Sequence, residues 1–148
     1  MSILGKKLTQ EYIYDFSVDG GAQGAFDLSA KNNKSVLPSN AVVTSVWMKV
    51  LTTFTSGGSA TLEWGNTTDP NGYSGATVAV ASLTAGAVFN GWDNAAALIW
   101  DDTNDHAIFY SVGTTANNKD FSCTVATADM TAGKAVFVVE YYVPAIEL

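Results

Sequence analysis

The side chains that perform chemistry in proteins are scarce in this chain and seldom stand together. It has one histidine, one cysteine and no arginine among 148 residues. The densest group of potential metal ligands is Asp101-Asp102-Thr103-Asn104-Asp105, and calcium favours several hard oxygens from one short loop. The cluster lacks the glycine at the sixth position and the glutamate at the twelfth that define an EF-hand loop. We therefore predict an acidic turn here and no metal site, with calcium as the alternative.

The other candidates for catalysis are isolated from one another. A lone histidine, His106, without a second histidine or a reactive cysteine nearby is a poor catalyst or zinc ligand. Glu63 and Glu140 each lie among apolar strand residues, which leaves a glycosidase-like carboxylate pair as an alternative. Cys123 alternates with apolar neighbours and is predicted to be a small buried side chain. We predict that the protein is not an enzyme and that it uses no cofactor.

Charge and hydropathy restrict the partners. The formal net charge is −7, from seven lysines against fourteen acids, whereas nucleic-acid binding depends on neutralising phosphates with basic side chains. No apolar run approaches the length of about 20 residues that a membrane-spanning helix needs. The first residues also lack the apolar stretch of a signal peptide. These features predict a protein made in a cytoplasm, without a nucleic-acid or membrane partner.

Short segments of alternating apolar residues, joined by glycine-rich turns, predict nine or ten strands and no long helix. The first segment places Tyr12, Tyr14, Phe16 and Val18 on one strand face. The longest, residues 41–54, has apolar residues on both faces, which indicates cover from an arm or a neighbouring subunit. One face carries Val42, Val46, Met48, Val50 and Phe54, and the other carries Val43, Ser45, Trp47, Lys49 and Leu51. Residues 1–10 carry two lysines without alternation. We therefore predict an N-terminal arm over 1–10 and a single all-β sandwich domain over 11–148.

Four tryptophans are the side chains best suited to recognition, because an aromatic ring can anchor an interface or stack on a sugar. Trp64 alternates with Leu62 and is predicted to lie in the core. Trp92, in a Gly-Trp-Asp turn, is the tryptophan expected to be exposed or at an interface, and a carbohydrate-binding function would require Trp92 or Trp47 to be exposed.

Several glycine-rich β segments resemble those of small structural proteins of tailed-bacteriophage virions, and the resemblance covers residues 12–143. Within that group the chain is most similar to head decoration, or cement, proteins, including those of cyanophage-like viruses. The resemblance implies a jelly-roll-like β-sandwich that binds outside the capsid lattice, commonly as a trimer, without catalytic residues. The segments that carry it are Tyr14-Asp-Phe-Ser-Val-Asp-Gly-Gly21, Phe54-Thr-Ser-Gly-Gly-Ser-Ala-Thr-Leu-Glu-Trp-Gly65, Asp69-Pro-Asn-Gly-Tyr73, Ala81-Ser-Leu-Thr-Ala-Gly86 and Thr131-Ala-Gly-Lys-Ala-Val-Phe-Val-Val-Glu-Tyr141.

The resulting hypothesis is a non-enzymatic, homotrimeric capsid decoration protein. It would bind the major capsid protein on the exterior of the head and stabilise the lattice. An alternative is a carbohydrate- or receptor-binding β-sandwich of a tail fibre or adhesin, and a tail or baseplate component would share the same fold. The residues expected at the interfaces are Ile3, Leu4, Lys6, Lys7, Trp47 and Trp92.

Overall fold

The chain folds mainly into strands, with little helix. The computed structural model describes residues 7–31, 36–90, 100–102, 105–107 and 110–144, without side-chain detail at 90, 100–102 and 105–107. Within these ranges the α-helices are the single turns α1 (Phe16–Asp19) and α2 (Ala116–Lys119), and no helix is long and apolar enough to cross a membrane. The strands are β1 (Lys7–Asp15), β2 (Gly24–Asp27), β3 (Val42–Ser56), β4 (Thr61–Gly65), β5 (Val78–Ala79), β6 (Val88–Asn90), β7 (Trp100–Asp102), β8 (Asp105–Ala107), β9 (Tyr110–Ser111), β10 (Ser122–Ala126) and β11 (Met130–Tyr142).

The strands form two antiparallel sheets, which confirms the predicted all-β sandwich. The five-stranded sheet has the order β1-β11-β3-β6, and β9 also pairs with the start of β3. The four-stranded sheet has the order β2-β10-β4-β5, and β7 pairs with β8 in a separate hairpin. Inward side chains of the two sheets meet in the core, where the rings of Trp64 and Phe137 lie 5.6 Å apart.

Aromatic rings fill the centre of the sandwich. Phe121, which directly precedes β10, stacks on Tyr12 with ring centroids 4.7 Å apart and on Tyr73 at 5.8 Å. It also contacts Phe137 of the five-stranded sheet at 5.2 Å. Trp64 is only 1% exposed, so the prediction that it lies in the core is confirmed. This cluster joins both sheets and the loop that carries Tyr73.

The prediction that Phe16 and Val18 continue the first strand is wrong. β1 ends at Asp15, because the Asp15 carboxylate accepts a hydrogen bond from the Ser17 amide at 3.0 Å and caps α1. Val18 is consequently 71% exposed, whereas Tyr12 and Tyr14 are fully buried. The α1 turn ends at Gly20, whose φ of 75° suits a residue without a side chain.

The start of β1 also differs from the predicted boundary between arm and domain. Residues 7–10 pair with β11, from Lys7 opposite Tyr142 to Gln10 opposite Val139. The sequence conceals this strand because every second residue faces solvent and Leu8 is its one apolar side chain before Tyr12. The arm can therefore include no more than residues 1–6 of the predicted 1–10, and those six lie outside the described residues.

The core face of β3 does not follow a strict alternation. Val43 is buried together with Val46 and Met48, although strict alternation places it on the opposite face. The reason is a register shift against β11, where Glu140 opposes Ser45 but Tyr141 opposes Val43. Thr44 is the extra residue of this bulge. The side chains of Val42 and Val43 therefore point to the faces opposite to those that strict alternation predicts.

Candidate functional site

The outward side of the five-stranded sheet, which we call the outer face, is the main candidate for a functional surface. Its residues alternate with the buried ones of β1, β3 and β11 and therefore point away from the four-stranded sheet. Val88 belongs to the same face because it lies directly opposite Lys49. The outer face comprises Lys7, Thr9, Glu11, Ile13, Asp15, Ser45, Trp47, Lys49, Leu51, Val88, Lys134, Val136, Val138, Glu140 and Tyr142.

Apolar side chains occupy the middle of the outer face. Two cross-strand rows carry them: Glu11, Val138 and Trp47 in one, and Ile13, Val136, Lys49 and Val88 in the next. Val138 is shielded by its row neighbours and is only 7% exposed, but Leu51 and Val88 are 44% and 54% exposed. We call this set the central patch: Ile13, Trp47, Leu51, Val88, Val136 and Val138.

The charges around the central patch balance locally. Lys7 Nζ lies 2.5 Å from Glu140 Oε2, and this contact raises the pKa of Lys7. Lys134 Nζ lies 3.0 Å from Asp15 Oδ2. Glu11 and Lys49 are exposed and make no ion pair within the described part of the chain. The outer face thus carries three lysines and three carboxylates, so the net charge of −7 belongs to the rest of the molecule.

The Asp15 carboxylate should make stability depend on pH. Hydrogen bonds from Ser17, together with Lys134, lower the pKa of Asp15 to about 2, below the unfolded value of about 3.9. A depressed folded pKa stabilises the protein above the unfolded pKa, and this contribution is lost as pH falls through the folded pKa. We expect Asp15→Asn, which keeps an oxygen for the Ser17 amide, to be less stable than the unsubstituted protein at pH 6. The difference should shrink between about pH 4 and pH 2.

Urea unfolding at pH 2, 3, 4 and 6 measures this difference. A gap in unfolding midpoint that stays constant over that range would show that Asp15 does not contribute through its charge.

Two of the six predicted interface residues lie in the described part, and both are on the outer face. Lys7 stands at one end of it, and Trp47, which is half-buried, stands in the central patch. Ile3, Leu4, Lys6 and Trp92 lie outside the described residues. The sequence pattern placed Leu51 on the same face as Trp47, but it gave no signal for Val88, which joins only through the pairing of β6 with β3.

The catalytic alternatives find no support among the described residues. Glu63 points outward from the four-stranded sheet and Glu140 from the five-stranded sheet, so the core separates the two carboxylates and they cannot act as a pair. Cys123 is fully buried, as predicted, and burial raises the pKa of its thiol to about 12. No three metal-ligating side chains converge within the described ranges.

The acidic cluster and His106 fall mainly outside the described side chains. The backbone of Asp101 pairs with that of His106, and the predicted turn between them includes residues 103–104, which lie outside the described residues. The calcium alternative concerns side chains that the structure does not describe.

Comparison with solved structures places the whole chain in a known fold. A chain of the cyanophage Pam1 capsid asymmetric unit matches with a TM-score of 0.61 and 19% identity, covering 97% of this chain and 89% of its own. A chain of the acidic stable capsid structure of Helicobacter pylori bacteriophage KHP30 matches with a TM-score of 0.58 and 16% identity, covering 99% and 97%. No protein-family model and no curated protein sequence matches the chain.

Proposed function

We propose that this protein is a non-enzymatic structural component of a bacteriophage virion that decorates the exterior of the head. The observation that carries the proposal is the likeness over nearly its whole length to chains of two phage capsid structures. We further propose a jelly-roll connectivity and a homotrimeric assembly, as the sequence resemblance implies.

The outer face is the surface that we assign to the major capsid protein. Decoration requires many acidic copies to crowd on one lattice, and each would bind best through the part of its surface where charge is balanced. The central patch supplies apolar area and one tryptophan, the residue type that most often anchors interfaces. Glu11 and Lys49 flank the patch and would fix its orientation through charged partners on the capsid.

Stabilisation of the head would follow from linkage. A protein that binds the assembled lattice but not separate subunits shifts the equilibrium toward the assembled lattice by mass action. No chemical step is needed, and many weak copies together would resist the pressure of packaged DNA.

Binding to isolated heads tests the proposal. Heads of the phage that encodes the protein are first stripped of their decoration and then mixed with the purified protein. Sedimentation separates bound from unbound protein. We expect saturable binding of the unsubstituted protein. Trp47→Ala should bind roughly 30-fold more weakly, because loss of an anchoring tryptophan costs about 2 kcal/mol.

Val18→Ala is the matched control, since Val18 is an exposed apolar residue away from the outer face. It should bind as the unsubstituted protein does. Failure of the unsubstituted protein to sediment with heads would contradict the decoration role. Equal binding by Trp47→Ala and Val18→Ala would contradict the assignment of the outer face.

A glycan- or receptor-binding module of a tail fibre or adhesin is the second candidate. The observation that favours it is the half-buried Trp47 ring on an open sheet face, where the apolar side of a sugar could stack. A shift of tryptophan fluorescence on adding host-surface polysaccharide, absent in Trp47→Ala, would support this function.

A further inference from the structure

A groove of about 590 Å³ lies at one end of the outer face, beyond the central patch. It forms where β1 begins, β3 begins and β11 ends. Val42, Tyr142 and Pro144 give it apolar walls, Ser45 lies along it, and the Lys7–Glu140 ion pair closes one side. With this pair satisfied, the groove presents mainly apolar surface and no unbalanced charge.

Both flanking segments of the chain start from the rim of this groove. Residues 1–6 precede Lys7, and residues 145–148 follow Pro144. Each contains apolar side chains that could occupy the groove: Met1, Ile3 and Leu4 in the first, Ile146 and Leu148 in the second. The lining residues therefore have two candidate occupants within the chain itself.

Charge distinguishes the two candidates. Residues 1–6 contain a lysine and no acidic residue, whereas residues 145–148 contain Glu147. Because the Lys7–Glu140 pair leaves the groove without an unbalanced charge, burying the Glu147 carboxylate there would leave it without a partner, whereas Ile3 and Leu4 carry no charge. The first segment is thus the better occupant.

The direction of β1 favours a groove on another copy. The pairing of β1 with β11 continues without irregularity to Lys7 opposite Tyr142, so the chain is still extended where it leaves the sheet. Six residues that continued in the same direction would span about 20 Å beyond the end of β1. To occupy the groove of its own copy, the segment would have to reverse direction immediately before Lys7.

We propose that residues 1–6 of one copy dock in the groove of a neighbouring copy, with Ile3 and Leu4 against Val42, Tyr142 and Pro144. This inference rests on the proposed function, because it requires several copies to assemble together. It makes the groove a contact between copies and leaves the central patch to the capsid.

Disulfide trapping tests the docking. Ile3→Cys and Ser45→Cys are introduced into separate copies with distinct tags, the two are co-expressed, and the purified assembly is oxidised with copper phenanthroline. The native Cys123 is fully buried and does not interfere. We expect a disulfide-linked dimer whose cross-linked peptides contain residues 3 and 45. Its yield should exceed that of a control pairing about tenfold, since docking holds the segment at millimolar effective concentration.

The control pairing replaces Ser45→Cys by Gln23→Cys, an exposed position beside the four-stranded sheet. Thr44→Cys provides a second position on the groove should Ser45→Cys not fold. A yield no higher than the control overturns the proposal. So does a cross-link that forms only when both cysteines are in one chain, because it would place the segment on its own copy. Binding of the unsubstituted protein to heads is measured separately, so that failure of docking and failure of the decoration role can be told apart.

Discussion

Replacing Phe121 with alanine is expected to lower the free energy of unfolding by about 4 kcal/mol, within the range for deleting a buried aromatic ring. The fully buried Phe121 ring lies against Tyr12, Tyr73 and Phe137, which come from the five-stranded sheet and from the loop after β4. Each lost ring pair adds about 0.5–1.5 kcal/mol to the loss of apolar burial. The melting temperature should fall by roughly 12 °C for a domain of this size.

Urea unfolding monitored by tryptophan fluorescence measures the loss, because Trp64 packs within the same cluster through Phe137. Phe121→Leu keeps most of the volume and loses the ring contacts, so it should lose less stability than Phe121→Ala. Val18→Ala, at a position 71% exposed, should change stability by less than about 0.5 kcal/mol. An unfolding midpoint of Phe121→Ala equal to that of Val18→Ala would show that the stack does not join the sheets.

Local patterning in the sequence was sufficient to predict the sandwich and much of its core. Strict alternation around Trp64 and Cys123 predicts which face of each strand is buried, because every second side chain of a strand points to the same face. The Ser56-Gly57-Gly58 turn also predicts a hairpin between β3 and β4, and this prediction is wrong, because the two strands belong to different sheets and are not paired. Alternation thus identifies strands, whereas pairing is decided by the whole fold.

Errors arose where a capping side chain or a long-range partner determines the structure. Asp15 caps α1 and ends β1 although the apolar alternation continues through Val18. Residues 7–10 form a strand because β11, more than 120 residues away, pairs with them. The Asp15 cap and Gly20 are local signals that compete with the apolar alternation, whereas nothing within ten residues of Lys7 signals its pairing with β11.

The candidate site shows the same contrast between features set by local alternation and features set by long-range strand pairing. Trp47, Lys49 and Leu51 could be placed on one face from the sequence because they alternate within a single strand. Val88 joins the central patch only through its register opposite Lys49, and the groove forms where β1, β3 and β11 end side by side. Both features depend on strand pairing between distant segments, which a single sequence does not reveal.

Replacing Gly65 with alanine is expected to lower the free energy of unfolding by about 3 kcal/mol, at the upper end for overpacking a buried site. A Cβ on Gly65 would overlap the Asp69 carbonyl oxygen and lie 2.8 Å from the Pro70 carbonyl carbon. Both are backbone atoms of a turn that folds back beneath the end of β4. The turn cannot move away freely, because the backbone N–H of Asn66 donates a hydrogen bond to the Asp69 carbonyl at 3.0 Å.

The effect should spread beyond the turn. The Asn66 side chain is fully buried and bonds the Asp69 amide at 2.9 Å, while the Tyr73 amide donates to the Trp64 carbonyl at 3.1 Å. Displacing the turn therefore disturbs the buried Asn66 side chain and also Tyr73, which stacks on Phe121. We expect the Gly65→Ala and Phe121→Ala losses to be less than additive in the double variant, because both weaken the same cluster.

Gly57→Ala is the matched control, since a Cβ there meets no atom within 4 Å and the residue does not have a positive φ. It should be neutral or stabilise the protein by up to about 1 kcal/mol, through reduced freedom of the unfolded chain. Thermal unfolding of the two variants separates steric overlap from the general effect of losing a glycine. Equal melting temperatures of Gly65→Ala and Gly57→Ala would contradict this prediction. They would show that the loop after β4 can shift without cost and that its backbone does not need a glycine at position 65.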